Sequence, residues 1–333
     1  MKKTFIAILA IAALAACAKT GIDYETPAEI GFAPVTKNIT KAEGLSGDLK
    51  PNQELGIWAY WNNSVEVGED GTLAVAAADY ASYTDNYLVN ALFAKRNDIT
   101  NWGGSPIGHP WPLNGALVFA GYTTPADTVL TTGSKVGYDL VSNTMTFTEY
   151  ENANEFDLCW FGRTSNAYNQ RSAGTAIGVT LSHALTWITI QVYAEGSPIG
   201  NWTITSMTLN DVVTKGTATC IGTTATWSPV TTEDEKQIYS GSHTLSANKT
   251  ALTDNVIIPS TPLELTVNFS FNVNGTPKTD SKTVSLKLND ANTETWVNGV
   301  HYTYTLLFKG NEILVAPSYK DWTESPRDNI TVE

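Results

Sequence analysis

The apolar residues of this chain recur at every second position over long stretches. Leu263, Leu265, Val267, Phe269, Phe271 and Val273 alternate with Glu264, Thr266, Asn268, Ser270 and Asn272. Val284, Leu286 and Leu288 alternate with Ser285 and Lys287, and Tyr302, Tyr304, Leu306 and Phe308 share one parity. So do Ile188, Ile190 and Val192 after Trp187, and so do Leu55, Ile57, Ala59 and Trp61. Successive side chains of a strand point to opposite faces, so each run is a strand with one face buried. Thr, Val, Tyr and Trp fill these runs, as strands prefer. Turn signals separate them: Asn-Gly at 274–275 and 298–299, Lys309-Gly310-Asn311, and Gly103-Gly104-Ser105-Pro106. Residues 84–95 also fit a helix, because Tyr87, Leu88, Ala91 and Leu92 follow a spacing of about 3.6. The pattern predicts an all-β chain of antiparallel β-sandwiches.

The chain has 333 residues, of which 42% are hydrophobic. That length exceeds what one core usually serves, so two domains are expected. The clearest seam is Gly162 to Gly178, which lacks an apolar period until its end. It sets a boundary near residue 176, to within about ten residues. The expected units are therefore 17–175 and 176–333, the second ending in a tail, 323–333. Gly-Ser-Pro-Ile-Gly occurs at 104–108 and at 196–200 and reads as two similar turns rather than a duplicated module.

The first sixteen residues are not part of the fold. Lys2 and Lys3 precede an unbroken apolar run from Phe5 to Ala16, too short to span a bilayer as a helix. The run ends Leu14-Ala15-Ala16-Cys17, which resembles a bacterial lipobox. The resemblance implies a signal peptide of residues 1–16, cleavage before Cys17 and lipidation of its sulfur. An ordinary secretory signal with an Ala-x-Ala cut nearby is the rival reading. Beyond that segment no hydrophobic run is long enough to cross a bilayer, so the mature protein is expected to be soluble apart from its tether. In an oxidising compartment a disulfide between Cys159 and Cys220 is permitted. They lie on opposite sides of the expected boundary, which favours two buried free thiols.

A formal charge of −13 argues against nucleic-acid binding, which needs a basic footprint. No phosphate-binding loop, dinucleotide fingerprint, nucleophile elbow or His-Glu-x-x-His is present, so no enzyme is expected. Four His and three Cys argue against a zinc cluster, and no metal or cofactor is expected. His109, in His-Pro-Trp-Pro, reads as part of a rigid turn; His183 and His301 read as structural residues on or beside strands. Glu233-Asp234-Glu235 reads as a solvated loop. The ten Trp, fourteen Tyr and ten Phe fill thin sandwich cores or stack on sugars. Trp58 and Trp61 have opposite parity on one strand, so at least one leaves the core or packs against another segment. They are the candidate ligand-binding aromatics.

Several stretches, taken in order, resemble the fimbrillins, the lipoprotein pilin subunits of type V pili. Trp296-Val-Asn-Gly299-Val-His-Tyr302-Thr-Tyr304-Thr305-Leu306, followed by Ile313-Leu-Val315 and Asp321-Trp322, is similar to the family's C-terminal pattern. Val179-Thr-Leu181-Ser-His183-Ala184-Leu185 resembles its His-Ala-Leu strand, and Pro110-Trp111-Pro112 with Leu117-Val-Phe119-Ala-Gly-Tyr122 its Trp-Pro element. Ile30-Gly-Phe32, Thr40-Lys41-Ala42 and Gly56-Ile57-Trp58-Ala59-Tyr60 fall in the family's order. Leu181 departs from the pattern where an aromatic is common, as does Ser260 after Pro259 where Gln is usual.

The resemblance implies two tandem transthyretin-like β-sandwich domains and a structural or adhesive role in a pilus. It also implies export to the outer membrane as a lipoprotein, removal of the first strand by a trypsin-like protease, and uptake of a strand from the next subunit. The removable strand corresponds to about residues 28–37, with Ile30 and Phe32 as its core plugs, and the processing site to Lys41-Ala42. No Arg occurs between Cys17 and Arg96. The cut therefore needs a lysine-accepting protease, or the subunit keeps its strand and stays as an anchor, with Lys41 a solvated loop residue. The donor candidate is the tail, where Ile330 and Val332 share parity, although Pro326 restricts it to an edge or its start. Asp127-Thr128-Val129 resembles the family's short O-glycosylation motif, with Thr128 the acceptor. Implied partners are other pilin subunits, the outer membrane through the Cys17 lipid, and a glycan or host ligand, with no nucleic acid. The alternative is a surface-anchored adhesin that binds a glycan or host ligand without polymerising.

Overall fold

The computed structural model describes residues 29–36, 53–66, 79–95, 102–105, 107–125, 135–151, 156–165, 167–168, 176–261, 263–288, 294–310 and 312–321. Among them are seventeen strands and one turn of 3-10 helix, Tyr80–Ser82. The strands are β1 (Gly31–Thr36), β2 (Gln53–Asn62), β3 (Asp85–Lys95), β4 (Trp102–Gly104), β5 (Ala116–Pro125), β6 (Val136–Asp139), β7 (Thr144–Glu151), β8 (Cys159–Phe161) and β9 (Ile177–His183). They continue with β10 (Thr186–Glu195), β11 (Trp202–Ile221), β12 (Thr224–Thr244), β13 (Thr250–Ile257), β14 (Glu264–Val273), β15 (Thr276–Ser285), β16 (Val300–Lys309) and β17 (Glu312–Asp321).

Seven strands join in the order β1-β4-β3-β2-β5-β8-β9, and β9 returns to β1, so the first layer pair closes on itself as a barrel. Its interior is the inward parity of each strand: Ile30 and Phe32, Leu55, Ile57 and Ala59, Phe93, Leu117 and Phe119, Phe161, and Ile177, Val179 and Leu181. The segment compatible with either period is strand β3. Asn90 sits there at φ 51, and the β2–β3 register shifts nearby. That bulge breaks the alternation, which is why the spacing also fits a helix.

The remaining strands pack as two facing sheets, β13-β10-β16-β17 and β15-β14-β11, with β12 on the other side of β11. Between them lie Ile188, Ile190 and Val192, Tyr302, Tyr304 and Leu306, and Leu265, Val267 and Phe308, the parities read from the sequence. The Asn274-Gly275 turn joins β14 to β15 with both residues at positive φ, 49° and 80°. That is the primed geometry a two-residue hairpin needs.

Strand β11 ties the halves together. Trp202–Leu209 pairs with β14, and Lys215–Ile221 pairs with β7, which carries β6 beside it. The β6-β7-β11 apron covers the outer face of the barrel through Trp58, Tyr122, Trp160, Met145, Phe147 and Cys220. After β9 the chain passes from the barrel to the second pair of sheets between His183 and Thr186. Two ladders, β1–β9 and β10–β16, are parallel within an otherwise antiparallel scaffold. Each joins strands remote in sequence, where no hairpin dictates direction. The two Gly-Ser-Pro-Ile-Gly stretches differ in backbone: Gly196 and Gly200 adopt φ 70 and 71, whereas Gly104 ends β4.

Candidate functional site

The strand that closes the barrel is held in an unusual way. On one side, the Ile30 N–H donates to the His109 carbonyl at 2.8 Å, Glu29 bridges Pro110, and Gly31 and Phe32 pair with Gly103 and Trp102 of β4. On the other side, Phe32 to Thr36 run parallel to Ile177–Leu181 of β9. Phe32 alone is paired in both directions. The ladder is thus two residues long on the β4 side and five on the β9 side, and the strand also buries its inward parity. Ile30 and Phe32 are both 0% exposed, and Pro34, of the same parity, is buried too. Proline in a sheet needs an edge-like place where its missing N–H costs no ladder bond.

The pocket for Phe32 is aromatic. Its ring meets Phe93 at 5.1 Å and Phe119 at 5.2 Å, both edge-on, with Phe161 at 6.4 Å. His109, read as a turn residue, packs its ring on Phe93 at 5.4 Å. Burial lowers its imidazole pKa, and the charge of Glu29 opposes that shift. A Cβ on Gly108 would fall within 2.3 Å of the Glu29 carboxylate, so this glycine makes room for the start of the strand.

Of the two candidate ligand-binding aromatics, Trp58 is 3% exposed. It is packed between Tyr122 at 5.7 Å and Tyr138 at 6.1 Å under the β6–β7 apron. It leaves the barrel interior, as its parity requires, but another segment covers it, so its indole offers no open face to a ligand. Trp61 is half-buried; its Nε1–H donates to the Asn114 carbonyl at 2.9 Å and its ring lies edge-on to Tyr87. Cys17, Lys41, Ala42, Thr128, Ile330 and Val332 lie outside the described residues.

Cys159 and Cys220 are both free and buried. Cys159 lies opposite His183 in the β8–β9 pair, with Asp157 beside them. The His183 Nδ1 is 3.3 Å from the Cys159 Sγ and 2.9 Å from the Asp157 Oδ2. Burial pushes the Cys159 thiol pKa well up, and Asp157 adds to it. Thiolate catalysis needs the opposite shift, and a relay needs thiol and carboxylate on different ring nitrogens. This cluster is not a nucleophilic triad. Motif reading missed it because it is assembled by strand register from distant positions. The one local signal was the same-face pair Asp157-x-Cys159.

A groove of about 810 Å³ opens on the second pair of sheets, lined by Trp227, Pro229, Pro259, Asp211, Glu264 and Asn298 among others.

A closed seven-strand barrel joined to a pair of facing sheets, with its first strand as the closing piece, makes this an all-β protein built of packed sheets. The chain belongs to the fimbrillin-like family, whose model matches residues 40–322. Among solved structures it is similar to a fimbrial protein from Bacteroides vulgatus ATCC 8482, at 18% identity and a TM-score of 0.55 over 89% of this chain and 99% of that one. It is also similar to a Bacteroides uniformis ATCC 8492 protein assigned to cell adhesion, at 15% identity and a TM-score of 0.53 over 89% and 99% of the two chains. These likenesses concern the fold. No match was found among curated proteins.

Proposed function

We propose that the protein is a structural or adhesive subunit of a cell-surface fimbrium, exported as a lipoprotein anchored through Cys17 and assembled by exchange of its first strand. The observation that carries this reading is the seam at β1. Without that strand the barrel opens between β4 and β9, leaving two unpaired edges and the empty pockets of Ile30, Phe32 and Pro34. An added strand with apolar side chains at alternate positions pairs those edges and refills the pockets. Ile330 and Val332 have the same i, i+2 spacing as Ile30 and Phe32, which suits the tail to that role. A cut at Lys41-Ala42 frees β1 from β2. Where the cut is not made, the subunit keeps β1 and serves as an anchor. In this reading the chain divides into two transthyretin-like domains near residue 176, and Thr128 is a glycan acceptor. Its partners are other pilin subunits and the outer membrane.

A second reading, an adhesin that binds glycan without polymerising, is favoured by the groove at Trp227. An aromatic face beside carboxylates and threonine hydroxyls suits a sugar better than the covered Trp58 does. The two readings separate on N-terminal sequencing of protein taken from the cell surface. Assembled subunits should begin at Ala42, and lipidated monomers at Cys17. A polymer whose subunits begin at Cys17 contradicts strand removal.

A further inference from the structure

Asp157, Cys159 and His183 form a compact cluster of three different metal-donor types. Their relative exposures are 5%, 1% and 3%, and their donor atoms lie within 4.8 Å of one another. The Cys159 Sγ is 3.3 Å from the His183 Nδ1, and the two Asp157 oxygens are 3.1 and 2.9 Å from the same nitrogen. The backbone beneath is braced. The Cys159 N–H donates to the Thr123 Oγ1 at 2.7 Å, and that hydroxyl lies 3.1 Å from the Asp157 carbonyl. The Ala184 N–H donates to Leu158 at 2.8 Å, and the Asn298 Nδ2 donates to the His183 carbonyl at 2.8 Å.

We propose that this cluster is a structural binding site for a divalent transition-metal ion of the zinc type. Thiolate, imidazole and carboxylate are the donors such ions select, whereas calcium and magnesium take oxygen alone. One thiolate and one carboxylate neutralise a dication, so the filled site buries no net charge. With bonds of 2.0–2.3 Å, tetrahedral donors stand about 3.3–3.6 Å apart. The Sγ–Nδ1 separation already matches, and the carboxylate must withdraw by only a few tenths of an ångström. Both its oxygens face the imidazole, so it can supply two donors. On binding, the thiol proton leaves to solvent, the sulfur lone pair goes to the metal, and the imidazole presents Nδ1 with its proton on Nε2. The site sits on the last barrel pair, just before the chain crosses to the second pair of sheets, so a bound ion would pin that joint.

The test uses the full chain, reduced and refolded with cobalt(II) or zinc(II) chloride, with excess metal removed by gel filtration. The expected result is about one cobalt retained per chain with a thiolate-to-cobalt charge-transfer band that zinc abolishes. The band should be lost in Cys159→Ser and kept in Cys220→Ser and Cys17→Ser. Asp157→Asn, which keeps shape, should lose at least about tenfold in affinity. Zinc should raise the melting temperature by about 5 °C or more, reversed by chelator. An unchanged band in Cys159→Ser overturns the proposal. If that variant does not fold, failure of the parent chain to retain cobalt or to gain thermal stability overturns it equally.

Discussion

The ring of Phe32 stands edge-on to that of Phe93, with centroids 5.1 Å apart and planes at 85°. That contact joins the short closing strand of the barrel to the middle of its wall. Phe119 of β5, on the other side of β2 from Phe93, approaches the same ring at 5.2 Å. Such pairs contribute about 0.5–1.5 kcal/mol beyond the area they bury. These contacts add to the five-residue ladder with β9 in holding the strand.

Phe32→Ala should therefore destabilise the protein by about 3–5 kcal/mol and Ile30→Ala by about 2–5 kcal/mol, as for other large-to-small core changes. Urea unfolding measures both. Val89→Ala, at an exposed position of β3, should stay within about 0.5 kcal/mol. Equal effects at all three positions would remove the plug role of the closing strand.

Gly121 lies on β5 against β2 and β8. A Cβ there would stand 2.6 Å from Ile57, 2.7 Å from Phe161 and 2.8 Å from the Gly56 carbonyl. The last is backbone and cannot swing aside. Gly121→Ala should cost about 1–3 kcal/mol by overpacking, read as a lowered melting temperature.

The Asn298 side chain bridges three segments. Its Nδ2 donates to His183 at 2.8 Å and to Thr223 at 3.1 Å, and its Oδ1 accepts from the Ala225 N–H at 3.1 Å. Asn298→Ala should lose about 1–3 kcal/mol in equilibrium unfolding, since each net bond is worth about 1 kcal/mol.

Alkaline pH should weaken the contact between barrel and apron. Burial first, and then the charge of Asp139, raise the Tyr60 pKa to about 12, and burial raises that of Tyr138 as well. A phenol whose folded-state pKa lies above its unfolded value near 10 stabilises the fold fully below that pH. The contribution is lost as pH climbs through the folded value. Unfolding free energy should fall from about pH 10 upward, and Tyr60→Phe should flatten that fall. A parallel decline in both proteins would exclude Tyr60 as its source.

Much of this architecture was legible in residue parity. The run from Leu263 to Val273 and the run from Tyr302 to Phe308 place their apolar side chains in one core because a strand has two faces and no third option. What escaped were features set by register between distant strands. The bulge at Asn90 left β3 compatible with a helix, and the parallel return of β1 onto β9 has no local signature. Opposite parity said that Trp58 or Trp61 leaves the core or packs against another segment, but not that the apron is the segment that covers Trp58. Asp157, Cys159 and His183 meet only once β8 and β9 align. The scarcity of His and Cys in the composition argued against a metal cluster, and it gave no sign that three donor types converge within 4.8 Å.

The claim that neighbouring copies complete one another's barrel is tested most directly by a chain beginning at Ala42, with the tail intact or with Ile330 and Val332 both changed to Ser. Unheated gel electrophoresis in detergent reads the result. The account predicts a ladder of heat-sensitive-to-boiling but detergent-resistant oligomers for the intact tail and monomers for the double substitution. A chain that stays monomeric with its tail intact, or a ladder that survives the double substitution unchanged, would contradict it.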